Sequence, residues 1–297
     1  MEQSPLTQQA RPESFQPKIV KLYETLFKDD EDADKSEGFW REFFLLRPDP
    51  ANLLDILADL SADDLLQLQA QIRQLLRQAV SFVRAGVAPS DEIALDTLTA
   101  LLSGVLNKKY TNPSSDVIVV LAGLDQADAV FTEFVNALDH IIRNGRHLDL
   151  RQKAIEVALS MTSGAYHTGL LSYFTHRDLF PSLMKYIQES DNTVRILRPF
   201  TLLGLLANYN KFEFQNPYRL RLDDFVNENI IRKIIKSIGQ TSSLSRDRYI
   251  AVQDDLPEGW NLYSTLTFFG LGGLAPGAKP PAPAPNPEAA KAQFAAL

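Results

Sequence analysis

Four histidines, His140, His147, His167 and His176, are the first candidates for chemistry in this 297-residue chain. None forms an H-x-x-x-H or H-E-x-x-H pair, the spacing that puts two ligands on one helix face, so each reads as a surface or capping group rather than a metal ligand. Ser182 and Lys185 have the S-x-x-K spacing of penicillin-recognising serine enzymes. The companion Ser-Asp-Asn and Lys-Thr-Gly boxes are missing, and a four-residue match alone is chance. Gly270-Leu271-Gly272-Gly273 is no phosphate loop, because no strand precedes it and a proline-rich stretch follows where a helix would be needed. The carboxylate pairs Asp32/Asp34 and Asp223/Asp224 fit a solvated loop or a helix first turn, whereas acid–base catalysis needs burial to shift a pKa. Cysteine is absent, which excludes disulfides, thiol catalysis and zinc–thiolate sites and suits the cytosol. The reading is therefore not of an enzyme: no catalytic, cofactor-binding or metal-ligating residue is assigned, and no cofactor is expected.

Two features point to surfaces instead. Arg195, Arg198, Arg219, Arg221, Arg232, Lys233 and Lys236 enrich the later body in positive charge, although Asp223, Asp224 and Glu228 interrupt them. Scattered solvated charge is the plain explanation, and an anionic lipid surface is the functional alternative. From Gly259 to Ala278 the chain carries no charge for 20 positions. Within it Trp260, Leu262, Leu266, Phe268 and Phe269 mix with Ser264, Thr265 and Thr267, the composition of a lipid-packing-sensing helix, and are candidate membrane contacts. Trp260 and Phe268 fall off the face shared by Leu262, Leu266 and Phe269, so a last helix docked on the preceding body is the competing reading.

The elements that must position these residues are helical. Leu65, Leu68, Ile72, Leu75, Ala79 and Phe82 are spaced 3-4-3-4-3, and Leu66, Leu76 and Val83 widen the stripe beyond a coiled-coil seam. Ser61 with Asp64 predicts a capping box at its start, and Gly86 and Pro89 end it. A second helix opens at Ser90 with Asp91 and Glu92 in its first turn and runs through Leu106. Val117–Leu121 is the one β-branched run; with no second strand to pair with, it reads as a short buried helix. Further helices are expected at about 126–144, 149–164, 168–174, 178–189, 192–209 and 226–240, with a kink or break at Pro199. About ten to twelve helices with short connectors predict an all-α antiparallel array. Segments 93–106 and 194–207 are apolar over more than one face, which favours an armadillo-like solenoid with degenerate repeats over a closed bundle.

Composition bounds the rest. Hydrophobic residues at 45% and charged residues at 23% are ordinary globular usage, while a net charge of −7 and a pI near 5.2 disfavour a nucleic-acid grip. The expected organisation is a disordered 1–14, a helical array over 15–258 with a mobile acidic loop at 28–37, an apolar segment at 259–274, and a disordered Pro/Ala-rich tail at 275–297. The start lacks the basic and apolar regions of a signal peptide, no lipidation motif stands at either end, and the longest apolar run, Val117 to Leu124, is too short to span a bilayer.

Two segments carry a family resemblance. Phe39-Trp40-Arg41-Glu42-Phe43-Phe44-Leu45-Leu46, and Asn208-Tyr209-Asn210-Lys211-Phe212 followed by Asn216-Pro217-Tyr218, resemble the amino-terminal part of the armadillo-like helical domain-containing protein 3 family. The N-Y-x-K and N-P-Y elements are the more specific ones. The resemblance implies a non-enzymatic scaffold, cytoplasmic and peripheral at Golgi membranes, working with a type III beta phosphatidylinositol 4-kinase and a large Arf exchange factor to sustain phosphatidylinositol 4-phosphate. It also implies a longer protein. The matched residues Phe39, Trp40, Asn208, Tyr209, Lys211, Asn216, Pro217 and Tyr218 are read either as structural or as partner contacts, with structure preferred: the asparagines cap helix ends, Pro217 fixes a turn and the tyrosine rings bury. The alternative function is a soluble armadillo-type adaptor that carries basic peptides, which would need a ladder of Asn and Trp along the repeats.

Overall fold

The computed structural model describes residues 16–28, 34–166, 168–209 and 216–254, with side chains as far as 247. The chain divides into two compact units, Met1–Ile234 and Ile235–Leu297. Fourteen α-helices and no strand are found among the described residues.

The first unit opens with α1 (Lys18–Lys28), α2 (Glu37–Phe43) and α3 (Pro50–Asp59), followed by α4 (Ala62–Gln67), α5 (Gln69–Ala85) and α6 (Ser90–Leu106). Next come α7 (Pro113–Leu121), α8 (Ala127–Asn144) and α9 (Leu148–Gly164). A 3₁₀ turn (Gly169–Leu171) leads to α10 (Ser172–His176), α11 (Phe180–Glu189), α12 (Thr193–Asn208) and α13 (Pro217–Asp223), and α14 spans Glu228–Asp254.

A period of three helices organises the unit. One layer is a ladder in which α3 packs on α6, α6 on α9 and α9 on α12; the other is formed by α5, α8 and α11. Within each repeat the two long helices pair, α5 with α6, α8 with α9, and α11 with α12; of the short helices that precede each pair, α4 packs on α5, while α7 packs on α5 and α10 on α8 of the preceding repeat. This is an armadillo-like helical solenoid whose repeats share a three-helix rhythm but no fixed length.

The core follows the apolar stripes. On α5 the residues Ile72, Leu75, Leu76, Ala79, Val80 and Val83 are buried, and α6 is buried on nearly every side. A helix apolar all round must be enclosed by neighbours, and α6 touches α3, α5 and α9. Two glycines set the ladder's spacing: a Cβ on Gly104 of α6 would lie 2.7 Å from the Cβ of Leu57 on α3, and one on Gly164 of α9 would lie 2.5 Å from the Cβ of Leu106 on α6.

Several expectations are corrected. The stripe from Leu65 to Phe82 is not one helix: the Ser61/Asp64 capping box is present, but Leu68 separates α4 from α5, and the apolar period continues across the break. The 168–174 helix is a 3₁₀ turn plus the short α10, and the helix expected at 226–240 runs on to Asp254. Among the described residues the helices number fourteen rather than about ten to twelve: α2, α4 and α13 are only 6 or 7 residues long and carry little period, while α1 buries Ile19, Val20, Tyr23, Leu26 and Phe27 at helical spacing. Pro199 lies inside α12 without ending it; the proline is buried and the helix continues to Asn208. Val117–Leu121 is helical as expected.

Candidate binding groove

On α6 the positions that escape burial are Glu92, Asp96, Thr99 and Ser103, spaced 4-3-4. They mark the one strip of this helix open to solvent. The neighbouring α9 shows Asp149, Gln152, Lys153 and Glu156 beside it, and α12 shows Val194, Arg195 and Arg198. Because these ladder helices stack side by side, their polar strips form the floor of a groove across the repeats.

Two adjoining cavities define the groove and share Asp96 and Lys153. The first, about 520 Å³, has an apolar wall of Leu45, Pro48, Pro50, Pro89 and Ile93 with Arg47 at its rim. The second, about 550 Å³, lies between α9 and α12. Its floor is neutralised by ion pairs between neighbouring helices: Lys153 Nζ reaches both oxygens of Asp96 at 2.5 Å, Arg195 meets Asp149 at 2.6 Å, and Arg198 meets Glu156 at 3.2 Å. Leu45 is 56% exposed and Val194 is 51% exposed, so an apolar side chain stands open at each end. Arg47 makes no ion pair among the described residues. The arrangement can hold a polypeptide segment by apolar anchoring and polar contacts; it gathers no group suited to bond making.

A buried ion pair rigidifies the groove from behind. Asp91, fully buried in the first turn of α6, accepts from both terminal nitrogens of Arg146 in the α8–α9 connection, one of these bonds measuring 2.9 Å. Arg146 also donates to Glu92 at 2.6 Å. The hydrogen bonding to the Asp91 carboxylate is the largest influence holding the guanidinium above its usual pKa. His147 caps α9, its Nδ1 accepting from the Leu150 N–H at 3.1 Å and its Nε2 facing Glu92 at 3.2 Å.

The residues considered for chemistry have other partners. Ser182 donates to buried Asp139, which also accepts from Arg177 at 2.6 and 2.9 Å; Lys185 donates separately to the Arg143 carbonyl at 2.8 Å. Ser182 and Lys185 thus serve different bonds. His176 faces the Ser172 carbonyl of its own helix at 2.6 Å, and His140 lines a cavity of about 510 Å³ between α5 and α8. His167 and Asp32 lie outside the described residues, and no group of three or more His, Cys, Asp or Glu able to hold a metal is found among those described. The later basic residues are largely paired: besides Arg195 and Arg198, Arg221 meets Asp178, Arg232 meets Glu228 at 2.5 Å, and Lys233 donates to carbonyls of Gln188 and Ser190 at the end of α11.

The motif residues lie away from the groove. Trp40 is 3% exposed, and Phe39 packs edge-on to it at 5.1 Å in a cluster with Tyr23, Phe43, Phe44 and Phe82. Asn216 is a latch: its Oδ1 accepts from the N–H groups of Tyr218 and Arg219, starting α13, while its Nδ2 donates to the carbonyls of Leu206 and Tyr209, closing α12. Pro217 occupies the first turn of α13. The Tyr218 hydroxyl, fully buried, accepts from the Leu179 N–H at 3.1 Å and faces the carbonyls of Phe174 at 2.6 Å and Arg177 at 2.9 Å. Burial pushes its pKa well above the usual tyrosine value. Tyr209 donates to the Thr168 carbonyl at 3.2 Å, and Asn208 to that of Gly204 at 2.8 Å. Lys211 and the membrane-contact candidates Trp260, Leu262, Leu266, Phe268 and Phe269 lie outside the described residues, as do residues 29–33 of the 28–37 loop, the 1–14 segment and the 275–297 tail. A Trp ladder of the transport-adaptor kind is not found among the described residues, where the one tryptophan is the buried Trp40. Sequence reading missed the groove; its signal was the 4-3-4 polar strip on an otherwise apolar α6.

The fold defines an armadillo-like helical protein with an open groove across its repeats. Comparison with known proteins agrees: the chain is 26% identical over 209 residues to Armadillo-like helical domain-containing protein 3 of Danio rerio, covering 69% of this chain and 30% of that protein. The human protein of the same name is 24% identical over 254 residues, covering 84% of this chain and 37% of that protein. A Schizosaccharomyces pombe protein described as a UPF0588 membrane protein is 24% identical over 269 residues, 86% of this chain and 42% of that protein. The chain therefore spans about a third of the length of the curated relatives it matches. No family model and no solved structure matches it.

Proposed function

We propose that the chain is a non-enzymatic scaffold or adaptor, peripheral at the cytosolic face of Golgi membranes, that holds a type III beta phosphatidylinositol 4-kinase and a large Arf exchange factor and so helps sustain phosphatidylinositol 4-phosphate. The groove across α3, α6, α9 and α12 is the observation that carries the binding reading. Its open apolar ends at Leu45 and Val194 anchor a partner segment, and its self-neutralised floor accepts polar backbone without leaving a buried charge unpaired. The Golgi setting and the two partners rest on the resemblance in the F-W and N-Y-x-K/N-P-Y elements and on the similarity to the named relatives. No described helix is long and apolar enough to cross a membrane, which fits attachment through partners.

Binding of the purified chain to each of the two enzymes, measured by biolayer interferometry, tests this reading. The double substitution Leu45→Glu and Val194→Glu, at positions open to water, is expected to weaken binding at least tenfold while leaving the melting temperature unchanged. No binding to either enzyme by the parent chain, or proximity labelling in cells that recovers only nuclear neighbours, overturns the assignment.

A further inference from the structure

Of the charged side chains that line the two cavities of the groove, Asp96 pairs with Lys153, Asp149 with Arg195 and Glu156 with Arg198. Glu92 is held by Arg146 at 2.6 Å and faces His147 at 3.2 Å. Arg47 alone lines the groove with no ion-pair partner among the described residues, and it is exposed at the rim of the first cavity. The acid closest to it in sequence, Asp49, is engaged elsewhere: its Oδ1 accepts from the Asn52 N–H at 3.1 Å and caps α3. An unpaired cation beside an apolar wall selects the charge of what the wall accepts, since an acidic group gains a charge-assisted contact there and a basic group meets repulsion.

Arg47 is also pinned. The residue before a proline is confined to extended backbone, and Pro48 follows it. Beyond Pro48, the Asp49 N–H donates to the Tyr23 hydroxyl at 3.2 Å, which ties the connection between α2 and α3 to α1. Pro48, Pro50 and Pro89 carry no N–H, so the wall they form with Leu45 and Ile93 offers apolar surface without backbone donors. A cavity of about 520 Å³ has room for a large apolar side chain and the backbone beside it. A lipid headgroup, polar throughout, would leave that wall in water, which favours a polypeptide as the occupant.

We propose that the first cavity takes an acidic linear segment of a partner protein: an apolar side chain sits against Leu45, the prolines and Ile93, and an Asp or Glu close to it in sequence pairs with Arg47. The inference rests on the groove reading above and adds the charge of the occupant.

Panning a random peptide display library against the full chain tests this without either enzyme. The expected result is enrichment of Asp or Glu beside a large apolar residue, with Lys and Arg selected against at the same place. In fluorescence polarisation with a selected peptide, Arg47→Glu is expected to weaken binding about fivefold or more, and exchanging the acid of the peptide for Lys should restore binding to that variant. Leu45→Ser, which adds no charge, should weaken the same peptide by removing its apolar contact. Both residues are exposed, so the melting temperature is expected to stay unchanged in each variant. Peptides without acidic preference that are lost on Leu45→Ser but indifferent to Arg47→Glu overturn the acidic occupant and leave the groove standing. Peptides indifferent to both changes, or no enrichment at all, overturn the inference together with the groove reading. Arg47-dependent capture of the chain by phosphatidylcholine vesicles containing phosphatidylinositol 4-phosphate, with no acidic peptide enriched, assigns the cation to a membrane surface and also overturns it.

Discussion

At the scale of single residues, stability concentrates where a polar group is buried with a single strong partner. Asp91 has no exposure and is ion-paired with Arg146. Arg146→Met is expected to cost about 3 kcal/mol, because it strands a buried carboxylate, whereas Asp91→Leu combined with Arg146→Met should cost less than the single change; urea denaturation of the three variants decides this. Asn216 makes four hydrogen bonds to backbone and joins two helices, so Asn216→Ala should cost about 2 kcal/mol by the same measurement. Burial raises the folded-state pKa of Tyr218, and raises that of Tyr23 to about 12, both from a usual 10. The folded state then holds protons that the unfolded chain releases, so this contribution is complete below pH 10 and is lost as pH rises toward 12. Unfolding free energy measured from pH 9 to 12 should fall, and fall less steeply in Tyr218→Phe.

At the scale of elements, the ladder depends on how closely its helices can approach. Gly104 touches Leu57, which is itself fully buried, so no side chain at 104 fits without moving α3 away from α6. Gly104→Val is expected to destabilise by about 1–3 kcal/mol in thermal or urea unfolding. It should also weaken partner binding through the groove, whose first cavity is walled by the start of α3 and by α6. Pro199 gives the complementary lesson. A proline removes one helical hydrogen bond, yet α12 continues through it because Ile196, Leu202, Leu203 and Leu206 are buried in the unit and hold the helix in place. Local preference yields where tertiary burial is larger.

At the scale of the molecule, the three-helix rhythm lines up the polar strips of α6, α9 and α12 and turns isolated charged residues into one face. The proposed binding therefore draws on the groove as a unit. Exchanging Asp96 and Lys153 for one another should therefore preserve the fold and binding within about threefold, whereas Lys153→Glu alone should weaken both by placing like charges together. Interferometry and melting curves on the two variants check this expectation.

Helix identity, the all-α class, the Ser61 cap and the buried Val117–Leu121 segment were legible in the sequence, because apolar period, capping residues and the absence of a second strand are local properties of the chain. The resemblance carried by Asn208-Tyr209 and Asn216-Pro217-Tyr218 was legible too, but not the latch those residues build, since its bonds join residues up to 44 apart. The turn at Leu68, the length of α14, the pairing of Asp91 with Arg146 and the groove itself were decided only by tertiary structure. Each depends on which helices become neighbours, and that choice is made by packing whole apolar faces, a free energy no single helix carries in its own spacing.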